Sequence, residues 1–185
     1  AMTGISPEQA LAALAQADLL YSPEQIESAL DRMAAAITAE LERRDPLLLV
    51  VMNGAFVPAA RLLARLRFPL RVGYLHATRY RGGTRGGAIE WLARPRPEVA
   101  GQVVLVVDDI FDEGDTLKAI LAEIRRREAK AVYSAVLVDK RHDRKVAGLT
   151  VDFVGLEVPD RYVFGCGMDY HDYWRNLPAI YAVGG

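Results

Sequence analysis

Apolar residues fall in two rhythms along this chain. Near the N-terminus they recur every three or four positions, and from residue 47 onward they gather in short runs. The first rhythm is that of amphipathic helices, the second that of strands buried in a sheet. One tetrapeptide, used twice, marks the helix starts. Ser6-Pro7-Glu8-Gln9 and Ser22-Pro23-Glu24-Gln25 each offer Ser at the N-cap, Pro at the first helical position and Gln three residues after the Ser. That is the capping-box arrangement. Leu11, Leu14 and Ala15 give the first helix a short apolar face, and Ile26, Leu30, Met33, Ile37 and Leu41 predict a second over about 23 to 43. This segment reads as packing, with no chemistry of its own, and no internal repeat is visible.

Asp45-Pro46 closes the helical region. Leu47 to Met52 predicts a buried strand, followed by the turn Asn53-Gly54-Ala55-Phe56 and a helix from about Pro58 to Arg67. Leu70 to Ala77 alternates as a strand does, and Ala88 to Leu92 can pair back on it. Arg94-Pro95-Arg96-Pro97 reads as a stiff polar linker. Val103 to Val107 is a buried strand that stops at Asp108 and Asp109, and Leu117, Ile120, Leu121 and Ile124 form the face of the helix beyond. Ala131 to Val138 and Val151 to Val158 are further strands. Strand, turn and helix in succession predict an α/β fold with a mainly parallel sheet and helices on both faces.

The strand ends carry the candidate chemistry. In open α/β sheets, ligands collect outside the carboxyl ends of the strands, and Asp108 and Asp109 stand at such an end. Residues 112 to 116 lead into a helix N-terminus, where unpaired N–H groups and the helix dipole favour a phosphate. Gly114 lets the backbone approach closely, and Thr116 adds a hydroxyl or caps the helix. The acidic side chains here, Asp112, Glu113 and Asp115, make better sense turned toward ribose hydroxyls, a metal or a substrate proton. Magnesium is usually held by few carboxylates together with waters and substrate oxygens. A phosphorylated sugar with Mg²⁺ is the ligand inferred. A plain acidic loop, with Asp115 or Thr116 as N-cap, fits the same residues.

Three other stretches stand out. The Asn53-Gly54 turn is either a second anion site or a routine strand-to-helix connection. Residues 78 to 87 hold four glycines and three arginines, which suits a plain hairpin tip or a cationic lid whose closure excludes water. Asp139-Lys140-Arg141-His142-Asp143-Arg144-Lys145 reads as a solvated charged loop. Lys140 is the exception, since it stands at a strand's C-terminal end on the ligand side.

Composition narrows the class. With 185 residues, of which 51% are hydrophobic, the chain can bury one substantial core and is not expected to be disordered. A net charge of −1, from 23 basic and 24 acidic residues, gives no electrostatic case for nucleic acid or an anionic membrane. No apolar run reaches the ~18 residues a membrane span needs, and no signal peptide is visible. Cys166 is the single cysteine, which rules out an intrachain disulfide framework. These features suit a cytoplasmic enzyme. Ala1 ahead of Met2 reads as an addition and is set aside.

Val104 to Thr116, an apolar strand, two acidic residues, two apolar residues and Asp-x-Gly-x-Thr, resembles the phosphoribosyl-pyrophosphate signature of type I phosphoribosyltransferases. Asp152 to Gly165, Met168-Asp169-Tyr170 and Tyr173-Trp174-Arg175-Asn176-Leu177-Pro178 resemble the purine-binding region of the hypoxanthine-guanine branch. The resemblance covers roughly residues 47 to 180. It implies one phosphoribosyltransferase domain over 1–185, with N-terminal helices at 6–45, a core at 47–158 and a small C-terminal hood at 159–185 that includes the purine-binding segment. The implied reaction moves the phosphoribosyl group from phosphoribosyl pyrophosphate to N9 of hypoxanthine or guanine in purine salvage, with Mg²⁺. A xanthine-preferring enzyme and a non-catalytic regulator of the same fold are the alternatives. A homo-oligomer, dimer or tetramer, is expected, with no nucleic-acid or membrane partner.

The resemblance also assigns roles. Asp108 and Asp109 face the ribose hydroxyls and Mg²⁺, and Asp112 is the general base at purine N7. Asp112, Glu113, Gly114, Asp115 and Thr116 bind the 5′-phosphate. Lys140 donates to the 6-oxo group, Tyr162 stacks on the base and the Val163 backbone reads the purine edge. Asp169 is a carboxylate on the metal and pyrophosphate side, and Arg175 contacts pyrophosphate. Asn53 and Gly54 form the pyrophosphate loop, with a non-proline cis peptide expected between Met52 and Asn53. Many relatives carry Lys or Arg at the position of Asn53. Arg79-Tyr80 matches a Ser-Tyr pair in the flexible loop, with only the Tyr kept.

Overall fold

The computed structural model describes residues 4–79, 89–96 and 98–185. Tyr80 and most of the glycine- and arginine-rich segment, on which the lid expectation rests, lie outside the described residues.

The chain opens with α1 (Pro7–Ala15), β1 (Asp18–Tyr21) and α2 (Pro23–Leu41). Both capping boxes form. The Ser6 hydroxyl accepts from the Gln9 N–H at 3.1 Å and the Ser22 hydroxyl from that of Gln25 at 3.2 Å. Each Gln side chain accepts in return from its Ser N–H at 2.8 Å. Ile26, Leu30, Met33, Ile37 and Leu41 are all buried, so the predicted stripe is the face that packs. α2 lies so close to the sheet that a Cβ on Gly155 would stand 2.8 Å from the Met33 sulfur.

The core alternates strands and helices: β2 (Leu47–Val51), α3 (Phe56–Leu63), β3 (Arg71–Arg79), β4 (Ile89–Arg96), β5 (Val103–Phe111), α4 (Asp115–Arg126), β6 (Ala131–Lys140) and β7 (Phe153–Val158). They form a six-stranded sheet in the order β4-β3-β2-β5-β6-β7, flanked by helices. Every neighbouring pair is parallel except β3 with β4. β2 and the first five residues of β5 are buried throughout, as expected of central parallel strands.

Two expectations are corrected here. Arg94, Pro95 and Arg96 belong to β4 rather than to a linker. β4 is the edge of the sheet, and an edge strand tolerates a proline because no outer neighbour needs its missing N–H. β5 also does not stop at the acidic pair. It runs on to Phe111, because β6 continues beside it and pairs Asp108 with Val136, Ile110 with Val138 and Phe111 with Asp139.

A second sheet of three antiparallel strands, ordered β1-β9-β8, is built from β8 (Val163–Phe164), β9 (Ile180–Ala182) and the N-terminal β1. The N-terminal segment therefore contributes a strand to the hood as well as helices. Arg161 pairs with Asp18 at 2.6 Å, and the Trp174 indole N–H donates to the Ala10 carbonyl at 2.9 Å. These contacts tie the N-terminal segment to the hood.

Candidate active site

Two adjoining cavities open at the carboxyl ends of β5 and β6. One, of about 300 Å³, is lined by Asp108, Asp109, Ile110 and the run from Asp112 to Leu117. The other, of about 260 Å³, is lined by Asp109, Ile110, Asp112, Lys140, Tyr162, Val163, Met168 and Asp169. They share Asp109, Ile110 and Asp112. The first is a cradle at the start of α4, and the second lies between the core and the hood.

The cradle is set by Gly114, which caps α4 at φ +92° without a side-chain hydrogen bond. A Cβ there would stand 2.6 Å from the Phe111 ring, and the left-handed backbone favours glycine. Asp115 and Thr116 follow as the first residues of the helix, so neither is its N-cap. The first-turn N–H groups have no intrahelical acceptor, which suits an anion.

Asp108 and Asp109 are adjacent carboxylates at the cradle's edge. The Asp109 N–H donates to Asp108 Oδ1 at 2.8 Å, and the Ile110 N–H to Asp109 Oδ1 at 2.7 Å. Burial, followed by the charge of Asp109, pushes Asp108 well above the usual carboxylate range. Burial raises Asp109 as well, against the opposing hydrogen bonds and the nearby Arg175. Such a pair is short of positive charge, which a divalent cation would supply. Among the described residues no three His, Cys, Asp or Glu side chains are gathered closely enough to hold a metal alone. Two adjacent carboxylates suit Mg²⁺, which keeps waters and substrate oxygens among its ligands.

The β2–α3 turn closes on this pair. The Met52–Asn53 peptide is cis, as the resemblance implied. A Cβ on Gly54 would fall 2.0 Å from Asp109 Oδ2, and one on Gly167 would fall 2.2 Å from the Gly54 carbonyl. Gly54, Gly167 and Asp109 are thus stacked with no room for a side chain. Asn53 is exposed and lines neither cavity.

Asp112 stands where the cavities meet. Its Oδ2 accepts from Lys140 Nζ at 2.9 Å, and its Oδ1 lies 2.8 Å from His142 Nε2. Burial raises its proton affinity, but the hydrogen bonds from Lys140 and His142 outweigh this and hold it below the usual range. Lys140 is itself buried at the end of β6.

The hood supplies the opposite wall. Tyr162 is half exposed into the second cavity, with its hydroxyl donating to the Asp169 carbonyl at 3.1 Å. Burial, then the charge of Asp169, raises the Tyr162 phenol above its ordinary value. Arg175 donates to the Gly167 carbonyl at 2.7 Å and lies 3.6 Å from Asp169 Oδ1. It reaches one carbonyl and one carboxylate of this wall without lining either cavity.

The charged run after β6 is not a solvated loop throughout. The His142 side chain is only 2% exposed, behind Asp112. Lys145 folds back under the strand ends, donating to the carbonyls of Lys140 at 2.6 Å, Asp112 at 3.0 Å and Phe111 at 3.1 Å. Arg144 makes a two-pronged pair with Asp160 at 2.8 and 2.9 Å, which holds that carboxylate down to about 2. Sequence reasoning passed over His142 and Lys145. The available signal was their place directly after a strand end that already carried Lys140.

A family model for the phosphoribosyl transferase domain matches residues 16–171. The chain belongs to the phosphoribosyltransferase family. It is 34% identical to the hypoxanthine-guanine phosphoribosyltransferase of Bacillus subtilis over 163 residues, 88% of this chain and 90% of that one. It is equally similar, at 34%, to the bifunctional protein TilS/HprT of Listeria innocua, but spans only 25% of that protein's length. A solved hypoxanthine-guanine phosphoribosyltransferase from Bacillus anthracis superimposes with a TM-score of 0.84 at 30% identity, over 90% of this chain and 98% of that one.

Proposed function

We infer that this chain transfers the 5-phosphoribosyl group from phosphoribosyl pyrophosphate to N9 of a 6-oxopurine, hypoxanthine or guanine, releasing pyrophosphate. The observation that carries this is the pair of adjoining cavities that share Asp109, Ile110 and Asp112. An anion cradle next to a slot lined by an aromatic ring and an ammonium suits a sugar phosphate meeting a purine.

Breaking the C1–O bond builds positive charge on the ribose and negative charge on the departing pyrophosphate. Donors aimed at that developing charge lower the barrier. Arg175 and the backbone of the Asn53-Gly54 turn are assigned to the pyrophosphate. Asn53 brings no positive charge, so only the backbone of that turn serves. The turn that leads into α4, from Asp112 through Glu113, Gly114 and Asp115 to Thr116, takes the 5′-phosphate, with its acidic side chains turned away. Asp108 and Asp109 take the ribose hydroxyls.

Asp108, Asp109 and Asp169 are the carboxylates assigned to hold Mg²⁺, which when bound would neutralise charge on the phosphate oxygens. Asp112, kept ionised by its two donors, accepts or shares the purine proton. Lys140 has only donors to offer, which match the 6-oxo acceptor and not an amino group. Tyr162 stacks on the base, and Val163 meets its edge through the backbone. The described helices include none long and apolar enough to cross a membrane. Action in the cytoplasm as a homo-oligomer, dimer or tetramer, completes the proposal.

The test is an assay of the purified chain with phosphoribosyl pyrophosphate, Mg²⁺ and each of hypoxanthine, guanine, xanthine and adenine. Nucleotide should form with hypoxanthine or guanine, not with adenine, and excess EDTA should abolish it. Xanthine as the best substrate would favour that alternative. No turnover with any 6-oxopurine would leave the regulator reading in its place.

A further inference from the structure

We propose that His142 is a positioning residue for the base Asp112, holding its Oδ1 from behind so that Oδ2 can pass from Lys140 to the substrate. The inference rests on the reaction proposed above and concerns a residue that reading does not use.

His142 does not line the purine cavity, whereas Asp112 and Lys140 do. Its ring is buried, and both of its nitrogens are engaged. Nδ1 accepts the Arg144 backbone N–H at 3.0 Å. An Nδ1 that accepts cannot carry a hydrogen, so the hydrogen of the neutral ring sits on Nε2 and points at Asp112 Oδ1, 2.8 Å away. His142 is therefore a fixed donor. It cannot take a proton from Asp112 at Nε2, which excludes a relay and leaves orientation as its role.

The two oxygens of Asp112 thus have unlike partners. Oδ1 is tied to a buried ring whose other side is pinned to the backbone. Oδ2 is tied to Lys140, a flexible ammonium whose remaining hydrogens can turn into the cavity. When a 6-oxo group draws Lys140 toward itself, Oδ2 comes free to meet the purine proton. His142 then keeps the carboxylate from following Lys140. The recruiting substrate is one that bears an acceptor at position 6, so the arrangement couples recognition of the base to release of the base catalyst's oxygen.

Two substitutions separate this role from a plain loop-building one. His142→Asn can keep an acceptor near the Nδ1 position but offers no donor to Asp112. His142→Gln can place an N–H near the Nε2 position. The proposal expects His142→Asn to lower kcat with hypoxanthine by about 10- to 100-fold, less than loss of the base itself, with KM for phosphoribosyl pyrophosphate within about threefold of wild type. His142→Gln should restore kcat to within about fivefold of wild type, because a side-chain N–H can replace the imidazole donor. Loss in Gln with retention in Asn, equal loss in both, or no loss in either overturns the proposal. A wild-type chain that turns over no 6-oxopurine would instead overturn the reaction on which it rests.

Discussion

Replacing Lys145 by Met tests whether the strand ends that carry the site are held together from below. The ammonium donates to three carbonyls, those of Phe111 and Asp112 at the end of β5 and Lys140 at the end of β6. It also lies 3.0 Å from Asp139 Oδ1 and 4.0 Å from the centre of the Phe111 ring. Methionine keeps the length of the side chain and removes every donor. Hydrogen bonds from a charged donor contribute about 1.5–3 kcal/mol each, so three would suggest roughly 4.5–9 kcal/mol. The lysine side chain is 23% exposed, so water can replace part of this, and such contributions do not add fully. Removing one partner from a buried ion pair costs about 3–5 kcal/mol, and we take the lower part of that range, about 3–4 kcal/mol. For a chain of this size that corresponds to a fall in Tm of about 6–16 °C. Scanning calorimetry near neutral pH measures it directly, and a parallel kcat for hypoxanthine reports on the site. Lys145→Arg should recover only part of the loss, because a planar fork cannot converge on three carbonyls as an ammonium does. A Met variant whose Tm stays within about 2 °C of wild type refutes the reasoning.

The remaining expectations concern single groups. Gly54→Ala should displace the Asp109 carboxylate, since the new Cβ would lie 2.0 Å from Oδ2 and 2.6 Å from Cγ. Activity should fall about 100-fold with little change in Tm, and an unchanged kcat/KM for phosphoribosyl pyrophosphate counts against that packing. Tyr162→Ala should raise the purine KM by about 5- to 150-fold, the worth of one stacked base, without raising that for phosphoribosyl pyrophosphate. Equal effects on both substrates would take Tyr162 off the base. Asp112 has a folded pKa held below its ordinary value by Lys140 and His142. Its stabilising contribution is therefore present above the unfolded pKa and is lost as pH falls through the folded one. The Tm gap between wild type and Asp112→Asn should be full at about pH 7, begin to shrink near about pH 4 and narrow further as pH falls below that, and a gap that does not narrow on acidification contradicts the pairing.

What was legible in the sequence was whatever a local pattern could encode. The capping boxes at Ser6 and Ser22 and the stripe from Ile26 to Leu41 are local, and both form as read. The β5 signature was also local, since an apolar strand, a tight glycine turn and an amphipathic helix lie within one stretch. The extra length of β5 was not, because residues 108 to 111 stay extended only where β6 runs beside them. Charge at Asp108 and Asp109 read as the end of the strand, although a neighbouring backbone can hold polar residues in register at a sheet's rim. β1 was hidden for a related reason. Asp18-Leu19-Leu20-Tyr21 carries no strand signal of its own, and its partner Ile180–Ala182 lies at the other end of the chain.

The run from Asp139 to Lys145 shows what composition conceals. Seven residues, of which all are charged or titratable, suggest a solvated loop because each charge alone favours water. At the end of a parallel strand a different rule competes with that one. The carbonyls of Phe111, Asp112 and Lys140 lie where β5 and β6 end, and a buried carbonyl left unpaired is costly. An ammonium on a long stem, at Lys145, satisfies three of them at once. A carboxylate where two cavities meet is kept ionised by donors beside it, and Lys140 and His142 are those donors. The charges of the run are thus divided by position. Arg141 and Arg144 reach outward to Glu157 and Asp160 at the surface, while Lys140, His142 and Lys145 turn inward. That division follows from the point at which β6 ends, which is a property of the sheet.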